Sequence, residues 1–558
     1  MNRFIRLLLL SLFVHSLTSF AFPDKGDAEF LYGKYCAKCH GINRLGLYGP
    51  PLVPQLLNSK SEKQIYSIIK NGLPPTPMPS FRNLPDRKIK AIINFIKSPA
   101  NIPNWNTENI NDSQIIMKPY HVKPFSRPIT NLIALVESGD GKVWIIDGKN
   151  IINKINFGDI HGGLKFSANG KYIYMPSRNG WIGRYNIKKG YLDYKVRACI
   201  YQRNITLANS DVISACWLPA SIVILNSILK SKKFIPLKDK ISAIYALYNS
   251  HYAIFGVMHK NEIGFLNTKT YDITYYHTDI PFEDFFIDPL EQFVVGSSFS
   301  HDILEVFSIR EKKIVYKTHF SGMPHLASAT FWFKNGKFFF ATPDIKKPVV
   351  TIWQAYHWKK IKEIPTKGMG FFVKTNPNTP YLWADEDSNT LLIINKNTLI
   401  PKHVVLVKKG WIIHTQFSGD GKYAYVSDYA KNGKIFVIDS TTLKILKKFS
   451  ASFPLGKYNY VMYSNQRQAA LLGEEVYLQY CWGCHHPTRT AFAPSFKYIA
   501  KHIPIPLIKA QILNPQKTYK VLGFKQNVMP EFHLSKYEID ALIQFIESTN
   551  NPNFWSSH

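Results

Sequence analysis

Acid is scarce in this chain: 38 Asp and Glu stand against 69 Lys and Arg, a formal charge of +31 over 558 residues. Such an excess strengthens encounter with acidic partners or an anionic membrane face. Lys, Asn and Ile are abundant throughout, so the charge is equally explained as overall composition on a solvated surface. No RNA- or DNA-binding motif accompanies it, and nucleic acid is not among the expected partners. Long apolar runs are also missing. The only candidate lies at the N-terminus, from Leu7 to Val14, about eight residues against the ~20 that a spanning helix needs. Ser19-Phe20-Ala21 follows with small residues at the positions a signal peptidase reads, so residues 1–21 are expected to be a secretion signal cleaved near Ala21. Cysteine is sparse too, with six residues, but its placement is informative.

Four of the six fall in two Cys-x-x-Cys-His runs, Cys36-Ala37-Lys38-Cys39-His40 and Cys481-Trp482-Gly483-Cys484-His485. Behind an export signal this run is the attachment sequence of a c-type haem. The thiols of Cys36 and Cys39 would form thioethers, with His40 as proximal ligand; Cys481, Cys484 and His485 would do the same. Covalent haem outside the cytoplasm places the protein in a periplasm. Cys199 and Cys216 remain, in strand-like apolar stretches where buried thiols and a disulfide are both open.

Each motif sits in a similar frame. Ala28 to Tyr35 reads as a helix; Met78 in Pro74-Pro75-Thr76-Pro77-Met78-Pro79 offers a thioether sulfur on a proline-stiffened loop; Ile89, Ile92, Ile93 and Ile96 then recur at helical spacing. This order, over residues 24–98, resembles class I cytochrome c. Residues 466–550 repeat it: Met529-Pro530-Glu531-Phe532 answers Met78-Pro79-Ser80-Phe81, and Leu534 to Ser548 runs in step with Leu84 to Ser98. Met78 and Met529 are the expected second axial ligands. His486 adjoins the proximal His485 and cannot reach the opposite haem face, so it is expected at the surface.

Between the two lies a different texture. Residues 99–125 show no period and read as a linker. From about 126 to 462, Asp/Asn-Gly-Lys turns precede β-rich runs at Asp140, Asn169, Asn335 and Asp420, with weaker equivalents near Asp211, Asn249, Pro289 and Asn378. Apart from a shorter first interval the spacing is about 42 residues, the length of a four-stranded propeller blade, and eight turns suggest eight blades. The expected architecture is an eight-bladed all-β propeller flanked by two all-α cytochrome c domains.

That combination resembles cytochrome cd1 nitrite reductase and its relatives in haem d1 biosynthesis. Gly158-Asp159-Ile160-His161, followed by Phe166 to Tyr172, is similar to the segment bearing the proximal haem d1 histidine, which puts that role on His161. Arg178 in Ser177-Arg178-Asn179-Gly180, with Arg197, would pair with the acidic side chains of haem d1. Gly368 to Pro377 and Pro454 to Asn459 are also similar to family segments. The reductases place two histidines over the d1 iron. His325 in Gly322-Met323-Pro324-His325 fills one position, while the other falls in Pro281-Phe282-Glu283-Asp284 and holds carboxylates. Glu283 and Asp284 are therefore candidate proton donors, with an exposed loop pair as the plain alternative; His259 is expected to be structural or exposed.

The resemblance implies two haem c and one haem d1. It also implies a small periplasmic donor, a cytochrome c or cupredoxin, and a homodimer, and the charge of the chain favours an acidic donor. Reduction of nitrite to nitric oxide is the favoured expectation. The alternatives are a haem d1 biogenesis protein that oxidises or carries a d1 precursor, and a non-enzymatic two-haem carrier on an empty propeller.

Overall fold

The computed structural model describes residues 25–73, 78–119, 122–160, 162–462 and 464–551. The expected signal, Pro74 to Pro77 and His161 lie outside the described residues. The chain divides into two compact units, Met1–Leu45 with Pro51–Ile102, and Gly46–Pro50 with Pro103–His558.

In the first unit the helices Lys25–Tyr35, Glu62–Asn71 and Asp86–Lys97 surround one apolar core. The middle helix starts on a capping box in which Ser61 and Gln64 exchange side-chain and backbone bonds. The Ile89, Ile92, Ile93 and Ile96 face is buried, as its spacing predicts, and packs with Tyr32, Leu31 and Ile65. Arg44 ties the last helix down by donating to the carbonyls of Phe95, Ser98 and Pro99.

The second unit is an eight-bladed propeller with a helical C-terminal domain. Each blade is an antiparallel sheet of four strands in sequence order, except at the closure. There the innermost strand of blade 1, Pro454–Asn459, comes from the far end and pairs with Leu132–Glu137. This closure explains the short first interval between turns. In blades 2 to 8 the expected turn joins the innermost strand to the second, whereas Asp140 joins the second strand of blade 1 to the third, one strand later. Closing the ring leaves only short protected sheet edges and a central channel.

The segment 99–125, expected as a linker, instead carries a helix, Thr107–Asp112, capped by Asn106 and Asn109. It then adds a strand, Ile115–Ile116, to the outer edge of blade 2 against Tyr194 and Lys195. Elements of six and two residues are too short to show a period. Cys199 and Cys216 form a disulfide between the loop after blade 2 and the second strand of blade 3.

The C-terminal domain packs helix Asn465–Tyr480 against Lys536–Ser548, and both join one apolar core with blade residues Phe333, Phe338, Tyr356 and Trp358. Tyr537 stacks on Tyr356 with ring centroids 4.0 Å apart. Glu475, its side chain 12% exposed, accepts from Phe333 N at 2.7 Å and pairs with Lys396 at 3.6 Å. These contacts lie on turns or strand ends at the end of the propeller opposite the one where the inner strands begin. Among the described residues, no helix is long and apolar enough to cross a membrane.

Candidate functional site

The haem c candidates keep their expected frames. In the first unit Cys36 ends the first helix and Ala37–His40 forms the next turn, with unpaired thiols on Cys36 and Cys39 and His40 buried. Burial pushes the Cys36 thiol up to about 12, and Met78 packs against the same core. Tyr32 donates to Gly41 O at 2.6 Å. In the C-terminal domain Tyr477 does the corresponding work, donating to His485 O at 2.9 Å. His485 Nδ1 donates to Pro494 O at 2.8 Å, a bond that fixes the tautomer and leaves Nε2 for a metal. Met529 is held through its backbone by Asn527, and its sulfur receives the Gln511 amide at 3.7 Å. His486 is not a ligand candidate, since its Nδ1 accepts the amides of Thr488 and Arg489. Two cysteine sulfurs and an imidazole on one turn, with a methionine from a later loop, suit a covalently held haem in each domain.

The propeller channel gathers a second, unlike set. Lys165 and Lys374 come from the two-residue inner strands of blades 2 and 7, Lys457 from the closing strand, Arg203 from blade 3, and Arg178 from a turn of blade 2. Burial lowers Lys165 and Lys374 to about 8 and takes Lys457 well below its ordinary value; burial and the charge of Arg178 lower Arg203. Arg178 donates to Arg203 O at 2.9 Å, and Lys457 to the carbonyls of His414 and Leu455.

Against these five cations stand three carboxylates. Asp159 is raised to about 7 by burial, and Asp385 to about 6 by the same cause. Asp284 is raised by burial, with one oxygen accepting from Ala327 N at 3.2 Å and the other 3.9 Å from His325 Nε2.

Four of the expected residues separate here. His325 faces Asp284, and its Nδ1 donates to Phe371 O at 2.5 Å. Glu283 does not join them. It accepts from Ser298 Oγ and Phe299 N at 2.9 and 2.7 Å and pairs with exposed His259 at 2.7 Å, so it braces its own loop. Adjacent residues of an extended chain point to opposite sides, which is why Glu283 and Asp284 cannot share one role. Arg197 is likewise engaged elsewhere: it ends the fourth strand of blade 2, its Nε donates to Asn179 O at 3.0 Å, and its guanidinium covers Trp105.

Sequence reasoning missed His414 and Tyr458. His414 sits at a bulge in the inner strand of blade 8 with φ +56°, 3% exposed, its ring 4.1 Å from Phe372 and 6.1 Å from Tyr458. Burial, then Lys457 and Lys374, hold it well below the ordinary imidazole value, so it is neutral, and its Nδ1 is buried without a partner. Tyr458 accepts from Gly163 N at 2.7 Å. A lone histidine in Ile412-Ile413-His414-Thr415 carries no spacing signal that marks a site.

Four cations lowered by burial, Lys165, Lys374, Lys457 and Arg203, with Arg178 beside them, are costly to keep charged without counter-charge. A polyanionic ligand would offset that cost. The acidic side chains of haem d1 would meet this requirement, and Lys165, Lys374, Lys457, Arg203 and Arg178 are the residues that would hold them.

Comparison with known proteins agrees. Residues 127–463 match the family model of the cytochrome D1 heme domain, and residues 24–96 and 468–546 match that of the cbb3-type cytochrome c oxidase subunit III. The dihydro-heme d1 dehydrogenase of Pseudomonas aeruginosa is 32% identical over 467 residues, covering 79% of this chain and 95% of that protein. Cytochrome c55X of the same organism is 37% identical over 49 residues, 9% of this chain and 41% of that protein. The solved structure of dihydro-heme d1 dehydrogenase NirN in complex with DHE superposes with a TM-score of 0.68 at 31% identity, covering 78% of this chain and 98% of that one.

Proposed function

This chain belongs to the cytochrome d1 haem domain family, and on that premise we propose that it is a dehydrogenase of haem d1 formation, removing two hydrogens from a dihydro-haem d1 precursor. It is an oxidoreductase in which c-type domains accompany a d1-type propeller. Nitrite reduction, favoured on the sequence, is the weaker reading.

The observation that carries this proposal is the 32% identity to a dihydro-heme d1 dehydrogenase over 95% of that protein's length. Forming nitric oxide from nitrite takes one electron and consumes two protons at the site, so it calls for donors. Dehydrogenation releases two electrons and two protons, so it calls for acceptors. Burial makes His414 a weak base, so the better-placed acceptor is Asp284, whose carboxyl burial raises and whose Oδ2 lies 3.9 Å from His325 Nε2. The segment expected to carry the second distal histidine of the reductases holds Glu283 instead, and Glu283 is committed to its loop. His325, its Nδ1–H fixed on Phe371 O, turns Nε2 toward Asp284 and the channel. The five cations fix the substrate by its carboxylates. His161 is proposed as the axial ligand on the resemblance alone. Each c haem, when bound, takes up one electron, so two such sites match the electron count of a dehydrogenation. A small acidic electron acceptor in the periplasm is the proposed partner.

Anaerobic incubation of the purified protein with dihydro-haem d1 tests the reading. Conversion of the precursor spectrum to that of haem d1, with reduction of the c-type bands, is expected. Turnover of nitrite to nitric oxide with the precursor left unchanged would refute it.

A further inference from the structure

We propose that Asp385 is a positioning residue that sets both channel histidines, His325 and His414, from one carboxylate. This rests on the dehydrogenase reading for its consequence, but its geometry stands apart from the reaction. Asp385 ends the second strand of blade 7, Tyr381–Asp385, and is 2% exposed. Its Oδ1 accepts from Phe371 N at 2.6 Å and Phe372 N at 2.9 Å; its Oδ2 accepts from His414 N at 3.1 Å.

Each bond reaches one of the histidines. Phe371 supplies the carbonyl that receives His325 Nδ1–H, so the place of that carbonyl decides which imidazole nitrogen faces the channel. Phe372 lies between the two rings, 5.7 Å from His325 and 4.1 Å from His414 by ring centroids. The His414 amide belongs to a residue in the left-handed region, uncommon for a side chain of this kind, and this bulged stretch of its strand is unpaired between Ile413 and Gln416. The bond from Asp385 therefore takes the place of the missing ladder bond. The loop also lies close on the strand end, since a Cβ at Gly370 would meet Asp385 O at 2.6 Å.

A carboxylate can accept on all its lone pairs, whereas an amide cannot. In Asp385→Asn one of the two sides, the Phe371–Phe372 amides or the His414 amide, must face an NH2 donor. The variant keeps the size of the side chain and disturbs one histidine in particular.

The experiment uses the full-length holoprotein with selectively 15N-labelled histidine. Asp385→Asn is expected to shift the imidazole resonances of His325 or His414, and to lower kcat about 10- to 100-fold through misplacement while KM stays within about 3-fold. In a His325→Ala, His414→Ala background the same substitution is expected to cost nothing further. If Asp385→Asn does not fold, Gly370→Ala, which presses the loop off the strand end but keeps the carboxylate, is expected to shift the His325 imidazole resonances. Unshifted imidazoles with wild-type kcat in whichever variant folds, or an undiminished loss in the double-histidine background, would overturn the proposal. Failure of the wild-type protein to oxidise dihydro-haem d1 would instead count against the dehydrogenase reading, and the imidazole shifts would still decide the role of Asp385.

Discussion

Replacing Lys374 by methionine is expected to move stability and affinity in opposite directions. Lys374 ends a two-residue inner strand, and its ammonium donates to Ser328 O at 3.2 Å. Burial lowers its pKa from 10.5 to about 8, and keeping it charged at pH 7 costs the free protein about 3 kcal/mol. The folded value lies below the unfolded one, so the penalty is fully present below pH 8 and fades as pH climbs toward 10.5. Lys374→Met keeps most of the length and removes the charge. Losing the bond to Ser328 offsets part of the gain, leaving the ligand-free protein about 1 to 3 kcal/mol more stable at pH 7. A charge-assisted bond to a ligand carboxylate is worth about 1.5 to 3 kcal/mol, so the same change should weaken haem d1 binding about 10- to 150-fold. Denaturant titration of the ligand-free protein and spectral titration with haem d1 read the two effects. Wild-type affinity together with unchanged stability would show that Lys374 does not serve the ligand, and the cationic channel would lose its meaning.

Lys396→Met leaves the little-exposed Glu475 without its cation and should destabilise the C-terminal domain by about 1 to 3 kcal/mol in denaturant titrations, with most of the loss recovered in Lys396→Met, Glu475→Met. Burial raises Asp159 to about 7, so between pH 3.8 and about 7 the folded protein holds a proton that the unfolded chain releases. Stability of the ligand-free protein should therefore fall as pH rises through that window, and Asp159→Asn should flatten the slope. Tyr477→Phe removes the bond to His485 O and should cost about 1 kcal/mol in thermal unfolding of the C-terminal domain. Replacing Cys481 and Cys484 by alanine should lower the mass of the exported protein by one haem while the N-terminal site keeps its own.

Much of the fold was legible because it repeats. Eight turns at near-constant spacing announced the blades, and the one irregular interval recorded the strand that closes the ring. The two cytochrome frames were legible for the same reason, each being a near copy of the other in Cys, His, Met and helix register. What a repeat cannot announce is a single element. The helix Thr107–Asp112 and strand Ile115–Ile116 occur once and are too short to show a period, so they passed for a linker.

The channel was legible only where a residue type declares its chemistry. Histidine at 325 invited a role and occupies the channel, but the carboxylate pair at 283 and 284 invited one role for two residues that the extended chain sends to opposite sides. His414 invited nothing, since an isolated histidine in an apolar strand is indistinguishable from a core residue until the bulge and the left-handed backbone turn it inward. The proposed direction of the reaction rests on His325 and the pair at 283 and 284. Counting histidines by position, the chain looks like a reductase short of one donor. On the dehydrogenase reading, Glu283 is withdrawn into its loop and Asp284, raised by burial, stands beside His325 Nε2 as the group that would receive a proton from the ligand. The cations around it would hold an anionic macrocycle by its carboxylates.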